Sequence, residues 1–325
     1  MVYGVHMDIL FIKLGAMGDV INTLPLAITL KEQLQARIHW LVEPLSLPIV
    51  SGHPAVEETI LFDRKRWASA LPDVVKELRS QRFSLALDLQ RIIKSGLFCM
   101  ASSSGRRVGF DRARCKELTW VLPFERIPAG DPRQHMAHQY LEFARYLGAV
   151  PGEIRWDIPV TGAVPTGLPG SYAVLNIGAT KSANRWTVEG FAALAAAMEK
   201  RFSITAVLTG GPEDTEMGEW IAGLGPGSLI NLVGKTSIPE LREVIAGARA
   251  VVSCDTGPMH LAVALGRVVI ALMGPSAPER TGPLMGRVVR LNLDCMPCNR
   301  RRCDDPRCMR GITVEMVMNE LETIL

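Results

Sequence analysis

Residues 8–19 read DILFIKLGAMGD, and this stretch decides the fold class. An apolar run of β type leads into a loop with two glycines, and a segment of helical period begins after Gly18. The same order recurs: RIHWLVE and SLALDLQ are apolar runs separated by a helix-period segment from about Ala68. Such alternation is typical of parallel strands joined by crossover helices. The sequence therefore predicts an α/β fold built on doubly wound sheets.

Length and the placement of proline and glycine predict two domains. The 325 residues exceed one ordinary domain and fit two of roughly 150 residues each. Between residues 148 and 170 the alternation stops, and four prolines lie among five glycines, which we interpret as a linker. We expect an N-terminal domain over residues 1–160 and a C-terminal domain over residues 161–325, facing each other across a cleft. The final segment predicts an amphipathic helix with a packing role. This helix could pack on its own domain or back on the N-terminal domain.

Composition indicates an ordered globular protein. Hydrophobic residues make up 48% and charged residues 21% of the chain, which is not the composition of a disordered segment. The sequence shows no cleavable apolar leader and no apolar stretch near 18 residues, so we expect neither export nor a membrane span. Seven cysteines, an odd number, favour a reducing compartment, and the cytoplasm is the expected location.

The excess of positive charge lies in the first half of the chain. Lys and Arg outnumber Asp and Glu by 20 to 17 over residues 1–160, against 16 to 16 over the rest. Residues 106–116 hold five basic side chains and one acidic one, Asp111, and residues 64–66 form a second basic cluster. These clusters favour an anionic partner, although a solvated surface is the commoner explanation of such a pattern.

The first loop that could carry chemistry is KLGAMGD, residues 13–19. It lacks the three-glycine spacing of a dinucleotide-binding loop, and no Gly-Lys-Ser/Thr follows as in a Walker loop. Asp19 stands where a helix N-cap belongs, a role that stabilises a helix by about 1 kcal/mol. The alternative is a carboxylate at the end of the first strand, kept ionised by helix amides, that accepts a proton from a bound hydroxyl.

A second loop, SCDTGPMHLAVALG at residues 253–266, has features that suit a diphosphate. A buried strand leads through Asp255, Thr256 and Gly257 into a helix that carries His260. Free amides at a helix N-terminus, with a hydroxyl and an imidazole nearby, can hold phosphate oxygens without a metal. His260 is equally well explained as a core histidine. A glycine-proline turn at residues 273–283 is expected beside this helix.

The third loop, NIGATKSANRW at residues 176–186, contains Thr180, Lys181 and Arg185. A cation here could neutralise a diphosphate leaving group, the task that a metal performs elsewhere; a solvated basic turn explains the pattern equally well. The chain has no Asp-x-Asp triplet, the motif through which many nucleotide-sugar enzymes chelate a metal. We therefore expect no metal at the site.

Four cysteines near the C-terminus, Cys295, Cys298, Cys303 and Cys308, form the pattern C-x2-C-x4-C-x4-C. Four thiols could hold zinc or an iron–sulfur cluster. The spacing differs from that of a zinc ribbon, whose C-x2-C pairs lie roughly 15–20 residues apart. Reduced free cysteines or a reversible disulfide are the favoured explanation, and a metal remains the alternative.

Taken together, these segments resemble glycosyltransferase family 9, the lipopolysaccharide heptosyltransferases, which have the GT-B fold of two facing Rossmann-like domains. The resemblance covers nearly the whole chain, and residues 39–67 look more like heptosyltransferase I than heptosyltransferase II. The motifs that carry it are KLGAMGDVINTLP (13–25), DLQRIIKSG (88–96), GFD (109–111), NRW (184–186), SCDTGPMHLAVALG (253–266) and MGP (273–275).

The resemblance implies an inverting, metal-independent transfer of L-glycero-D-manno-heptose from ADP-heptose to Kdo of Kdo-lipid A in the lipopolysaccharide inner core. Asp19 is then the expected base, and no cofactor is expected. The expected partners are a nucleotide sugar, the anionic glycolipid acceptor and the inner face of the inner membrane, held peripherally, with no nucleic acid. The expected donor contacts are Thr180, Lys181, Arg185, Glu213, Asp255, Thr256, Gly257 and His260. The expected acceptor contacts are Gly15, Lys94, Arg112, Arg114 and Lys116.

Two departures from the family pattern affect these expectations. The family usually has Lys where this chain has Asn184, so Lys181 or Arg185 would have to replace that cation. Lys116 stands where the family often has Arg. Alternatives are a heptosyltransferase of type II or III, another nucleotide sugar, a two-domain binding protein without chemistry, and a nicotinamide-dependent oxidoreductase. The missing three-glycine loop disfavours the last.

Overall fold

The computed structural model describes residues 7–325 and divides the chain into two compact units, residues 1–159 and residues 160–325. The division lies one residue before the predicted boundary. Residues 147–171 contain no helix or strand, and this stretch includes residues 148–170, which the sequence predicts as a linker. Glu243 anchors the interior of this segment, because its carboxylate accepts hydrogen bonds from the amides of Thr161 and Gly162.

The described part of the first unit contains six strands and six α-helices. The strands are β1 (Asp8–Ile12), β2 (Arg37–Val42), β3 (Glu58–Leu61), β4 (Phe83–Asp88), β5 (Ser104–Gly109) and β6 (Glu125–Arg126). The helices are α1 (Met17–Ile21), α2 (Leu24–Leu34), α3 (Leu47–Val50), α4 (Trp67–Ser80), α5 (Ile93–Ala101) and α6 (Met136–Tyr146). The strands pair in parallel in the order β3-β2-β1-β4-β5-β6.

The second unit repeats this plan. Its strands are β7 (Tyr172–Asn176), β8 (Thr205–Thr209), β9 (Ile230–Asn231), β10 (Ala250–Cys254), β11 (Val268–Leu272) and β12 (Arg287–Val289). Its helices are α7 (Val188–Phe202), α8 (Thr215–Leu224), α9 (Ile238–Gly247), α10 (Gly257–Ala264), α11 (Pro278–Thr281), α12 (Arg307–Arg310) and α13 (Val314–Glu322). The parallel order is β12-β11-β10-β7-β8-β9.

The first strand of each unit lies at the point where the strand order reverses. β1 lies between β2 and β4, and β7 lies between β8 and β10. At such a point the loops that leave neighbouring strands diverge, and ligands of doubly wound sheets bind at that carboxyl edge. The strand order therefore selects the loops after β1 and β4 in one unit, and those after β7 and β10 in the other.

The last helix belongs to the core of the second unit. In α13, Val317, Met318 and Leu321 are buried, and the helix contacts α7, β11 and β12. Its packing on the N-terminal domain stays a prediction. Across residues 7–325, none of the helices combines the length and the apolar character that crossing a membrane requires.

Trp186 ties the loop after β7 to this core. Its ring packs edge-on against Phe191 at 5.0 Å between centroids, and its indole nitrogen donates to the carbonyl of Ile312 at 2.9 Å. Gly190 lies one turn later, and a Cβ atom there would stand 2.7 Å from two ring carbons of Trp186. The tryptophan of the NRW motif thus has a structural role, which is to hold the loop in place.

We expect Gly190→Ala to lower the free energy of unfolding by about 1–3 kcal/mol, because the rigid indole ring must move to admit a methyl group. Gly223→Ala is the matched control, since a Cβ atom at this helical position meets no heavy atom within 4 Å. The control should gain about 0.4–1 kcal/mol. Urea unfolding of both variants measures the difference, and equal stabilities would contradict this packing.

Candidate active site

Asp19 lies in the first turn of α1 and does not cap it. The N-cap residue is Ala16, and no side chain caps this helix. The Asp19 Oδ2 atom instead accepts a hydrogen bond from Lys13 Nζ at 3.2 Å, and the Asp19 side chain remains 39% exposed. The interpretation of Asp19 as an N-cap is therefore wrong. The structure leaves a half-exposed carboxylate at the carboxyl edge of β1.

Positive charge keeps this carboxylate ionised. Burial has the largest single effect and raises the pKa of Asp19, but the Lys13 ammonium, Arg91 and Lys116 together lower it by more, so the pKa lies below its usual range. Burial lowers the pKa of Lys13, while Asp19 and Tyr140 raise it to a net value above its usual range. The strongest of the groups that favour the ionised form is thus a buried lysine, which the sequence did not suggest.

The loop after β4 lies against the loop after β1. Asp88 ends β4 and accepts hydrogen bonds from Ser95 Oγ at 2.7 Å and from the amides of Gln90 and Arg91 at 3.2 Å. Burial raises the pKa of the Asp88 carboxyl, and these donors offset part of the rise. Gln90 Oε1 in turn accepts from the amide of Gly15 at 3.4 Å. This network fixes the backbone of the loop after β1, which contains Gly15 and leads to Asp19.

The predicted acceptor contacts fall into different environments. Lys94 pairs with Glu43 at 2.8 Å between Nζ and Oε1. Arg112 is exposed and stacks on Trp120, with its guanidinium carbon 4.2 Å from the ring centroid. The Lys116 amide donates to the carbonyl of Arg91, and Lys116 lies close enough to lower the pKa of Asp19.

Arg114 corrects one of these predictions. Its guanidinium pairs with Asp111 at 2.5 Å and with Glu142 at 2.6 Å, and its side chain is 1% exposed. A buried arginine held by two carboxylates has its hydrogen-bonding capacity directed into the protein. Arg114 is therefore a structural residue that fastens its 3-10 turn to α6, and it is not a candidate contact to an acceptor.

In the second unit, the loop after β10 leads directly into α10. Thr256 is the N-cap residue, and its side chain makes no capping hydrogen bond. Gly257 and Pro258 open the helix, and His260 lies in its first turn, buried to 8% exposure. The N-terminus of this eight-residue helix carries amides that favour an anion. Asp255 precedes it and accepts a hydrogen bond from Asn184 at 3.2 Å.

Asn184 links three of the loops at this edge. Its amide nitrogen donates to Asp255 Oδ2 and, at 3.4 Å, to Ser276 Oγ in the loop after β11. Its amide oxygen is buried and has no hydrogen-bond partner within the part of the chain that the structure describes. Asn184 thus joins the loops after β7, β10 and β11, at the position where the family usually has a lysine.

The two cations that could replace that lysine differ sharply. Arg185 pairs with the buried Asp214 at 2.5 Å, so its guanidinium is already neutralised. Lys181 is half-buried and forms no ion pair with any residue from 7 to 325. Thr180 beside it is exposed, as is Glu213 in the loop after β8. The geometry favours Lys181 as the free cation of this edge.

The four C-terminal cysteines lie around one small cavity. All four are free thiols, and with Pro275, Arg300 and other residues they line a space of about 50 Å³. Burial, followed by the nearby thiols, raises the pKa of Cys308. In the described region, no group of three or more His, Cys, Asp or Glu side chains is arranged to hold a metal ion. The segment that carries these cysteines also contacts the loop after β7, because the carbonyl of Arg301 accepts a hydrogen bond from the amide of Ala183.

The family is decided by a sequence model of glycosyltransferase family 9 (heptosyltransferase), which matches residues 72–308. The chain belongs to glycosyltransferase family 9. It is a glycosyltransferase of the heptosyltransferase type, and the predicted family is confirmed. Lipopolysaccharide heptosyltransferase 1 of Escherichia coli K12 is 28% identical over 291 residues, a match that covers 85% of this chain and 90% of that protein.

Solved structures of family 9 enzymes share the fold. The E. coli heptosyltransferase WaaC with ADP has a TM-score of 0.81 at 26% identity, covering 98% of this chain and 100% of that one. E. coli ADP-heptose lps heptosyltransferase II has a TM-score of 0.79 at 25% identity, covering 98% of both chains. The two Rossmann-like units are therefore those of a GT-B enzyme, and the predicted fold class is confirmed.

The sequence did not identify Lys13, Tyr140 or Ser276 as residues at the carboxyl edges of the two sheets. Lys13 stands within the quoted KLGAMGD motif, directly after a buried strand, where a charged side chain needs a partner. This need for a partner is the signal in the sequence that points to Lys13. Ser276 lies in the glycine-proline turn at residues 273–283 that was expected beside α10, although its serine was not singled out, whereas nothing in the local sequence marks Tyr140.

Proposed function

We propose that the protein transfers L-glycero-D-manno-heptose from ADP-heptose to a Kdo hydroxyl of Kdo-lipid A, with inversion at the anomeric carbon. The observation that carries the proposal is the half-exposed, ionised Asp19 at the carboxyl edge of β1, paired with a lysine that is itself out of reach of substrate. The similarity to lipopolysaccharide heptosyltransferase 1 supports heptose as the sugar and a lipopolysaccharide precursor as the class of acceptor.

The proposed mechanism is a single displacement. The acceptor oxygen attacks the anomeric carbon as the bond to the ADP oxygen breaks, and Asp19 takes the hydroxyl proton. A carboxylate of low basicity is suited to this step, because the hydroxyl proton becomes acidic only as the new C–O bond forms. General-base catalysis of this kind contributes about 10²–10⁴-fold to the rate.

The proposed donor site needs neither a metal nor a resident cofactor. The N-terminus of α10 and the Thr256 hydroxyl would bind the diphosphate, with His260 in the same turn, and Lys181 would neutralise the charge that develops on departing ADP. Thr180, Glu213 and Asp255 are the further proposed donor contacts. Arg185 would act indirectly, because its ion pair with Asp214 holds the loop that carries Lys181.

The proposed acceptor contacts are Gly15, Lys94, Arg112 and Lys116. Gly15 and Lys116 are supported by their link to the Asp19 network. Lys94 must exchange Glu43 for an acceptor group to serve this role. Because Kdo carboxylates and lipid A phosphates are anionic, cations in the first unit match the charge of the proposed acceptor.

We also propose peripheral binding at the inner face of the inner membrane, through an exposed apolar patch on the first unit. Leu118, Trp120 and Val121 are 40–61% exposed, and Leu97 and Met100 expose the neighbouring face of α5. Contact between Leu122 and Gly96 keeps the two segments together. An exposed tryptophan with Arg112 stacked on it suits the interface of an anionic bilayer.

A second candidate function is transfer to an acceptor that already carries heptose. The match to E. coli heptosyltransferase II over 98% of the chain favours it, and the strand order and the α10 loop serve either acceptor equally. The donor chemistry is the same in both cases, so the acceptor is the point on which they differ.

Asp19→Asn should reduce transfer from ADP-heptose to Kdo-lipid A by about 10²-fold or more, because the amide cannot take the proton. Donor affinity, measured by calorimetry with ADP-heptose, should stay near the wild-type value. Asp73→Asn, an exposed change on α4, is the matched control. Full activity of Asp19→Asn would contradict the assignment of the base.

Lys181→Met should weaken ADP binding about tenfold or more and leave stability unchanged, since its ammonium has no ion pair to lose among the described residues. Arg185→Met should instead lower the free energy of unfolding by about 1–3 kcal/mol, because Asp214 is left buried without its cation. Calorimetry with ADP and urea unfolding separate the two effects. Wild-type affinity in Lys181→Met would exclude its role in diphosphate binding.

Trp120→Glu should reduce binding to vesicles of phosphatidylethanolamine and phosphatidylglycerol about fivefold or more, since it removes an interfacial ring and adds a negative charge. Trp220→Glu, at a tryptophan of the second unit that is 57% exposed, is the control. Sedimentation with these vesicles measures binding. A loss that is equal in both variants, or a Trp120→Glu variant that merely changes oligomeric state, would reject the membrane role of the patch.

A further inference from the structure

Lys13 is an unusual lysine because its charge is enclosed. Its side chain is 2% exposed, and its ammonium lies between the Asp19 carboxylate at 3.2 Å and the Tyr140 ring, whose centroid is 5.3 Å away. The indole nitrogen of Trp40 donates to the Lys13 carbonyl at 3.0 Å and fixes its backbone. Burying an ammonium is costly unless it is paired, so the fold holds this charge at a considerable desolvation cost.

The enclosure excludes a direct role in catalysis. With almost none of its surface accessible, the Lys13 ammonium cannot bind a sugar or a phosphate. Among residues 7–325, the carboxylate that its ammonium contacts is that of Asp19, whose own side chain remains 39% exposed. Any effect of Lys13 on a substrate must therefore pass through the carboxylate.

We propose that Lys13 is a positioning residue for heptose transfer: it holds one carboxylate oxygen of Asp19 and keeps the group charged, so that the accessible part of the carboxylate meets the acceptor hydroxyl. Tyr140 supports it from beneath, through the face of a fully buried ring that packs edge-on against Phe110. This inference rests on the proposed role of Asp19 as the base.

Other charged groups face the same carboxylate, and they limit the size of the effect. Arg91, after β4, and Lys116, before the 3-10 turn Thr119–Val121, also lower the pKa of Asp19. Asp88 faces Lys13 from the end of β4. Of these groups, Lys13 makes the hydrogen bond to Asp19 and exerts the largest effect that opposes burial. Removing its charge leaves burial, which raises the pKa of Asp19, opposed by the two remaining cations.

The test is the pH profile of kcat/KM for transfer from ADP-heptose to Kdo-lipid A by Lys13→Met. The acid limb should move upward by about 1–3 pH units, the usual effect of one close opposite charge. Activity on the plateau should fall about tenfold or more, because Asp19 loses its fixed orientation. Lys76→Met, which removes an exposed lysine from α4, should keep the wild-type profile.

Two further measurements keep the inference falsifiable. Lys13→Gln retains a hydrogen-bond donor without the charge and should shift the acid limb in the same direction, which guards against a Lys13→Met variant that fails to fold. In the wild-type protein, the acid limb should fall no higher than the usual pKa range of an aspartate, because the pKa of Asp19 is lowered; a limb near neutral pH would overturn the inference even if neither variant folds.

The outcomes separate this inference from the proposed function. An inactive Asp19→Asn together with an unshifted acid limb in folded Lys13→Met and Lys13→Gln would overturn the role of Lys13 alone. A fully active Asp19→Asn would overturn both, since Lys13 would then have no base to position.

Discussion

The position of the first strand within each parallel sheet is the constraint on which the candidate site depends. Because β1 and β7 lie where the strand order reverses, the loops that follow them open at the carboxyl edge of their sheets. Hydrogen bonds at the two carboxyl edges then fix the positions of these loops. The Asp88 network fixes the loop after β4 against Gly15, and Asn184 joins three loops around α10.

The two carboxyl edges bury charges of opposite sign. The first unit encloses an ammonium, Lys13, and leaves its carboxylate partner half-exposed. The second unit buries a carboxylate, Asp214, and leaves its partner Arg185 partly exposed. An exposed carboxylate suits the acceptance of a proton, whereas Lys181 and the amides of α10 suit an anion. The distribution of charge thus agrees with a division into acceptor and donor functions, which we propose rather than derive from the fold alone.

The sequence predicts the fold well where strands are apolar throughout. DILFIKL, SYAVLNIG and ARAVVSCDTG contain the buried strands β1, β7 and β10, which set the positions of the loops. It misses β5, because SGRRVG carries two arginines, and β6, because two residues leave no pattern. These polar strands are held by partners that the local sequence does not reveal, such as the pair of Arg106 with Glu125.

The site residues show the same limit. The loops were identified from their glycines and helix starts, yet the partners of their side chains come from distant segments. The sequence presents Arg114 as one cation of a basic cluster, whereas in the structure it is buried and pairs with Glu142, which lies 28 residues further along the chain. Asp19 looked like a cap because its spacing fits one. The helix in fact begins at Met17, so Asp19 lies within its first turn, and its carboxylate pairs with Lys13 instead.

The most direct test of this account is mass spectrometry of the product formed from ADP-heptose by the purified protein. Two acceptors should be compared under the same conditions, Kdo-lipid A and the same lipid already carrying one heptose. The account predicts that Kdo-lipid A gains the mass of a single heptose, while the heptosylated lipid is left unchanged. Conversion of the heptosylated lipid alone would contradict the proposed acceptor, and no transfer to either from bound ADP-heptose would contradict the proposed reaction.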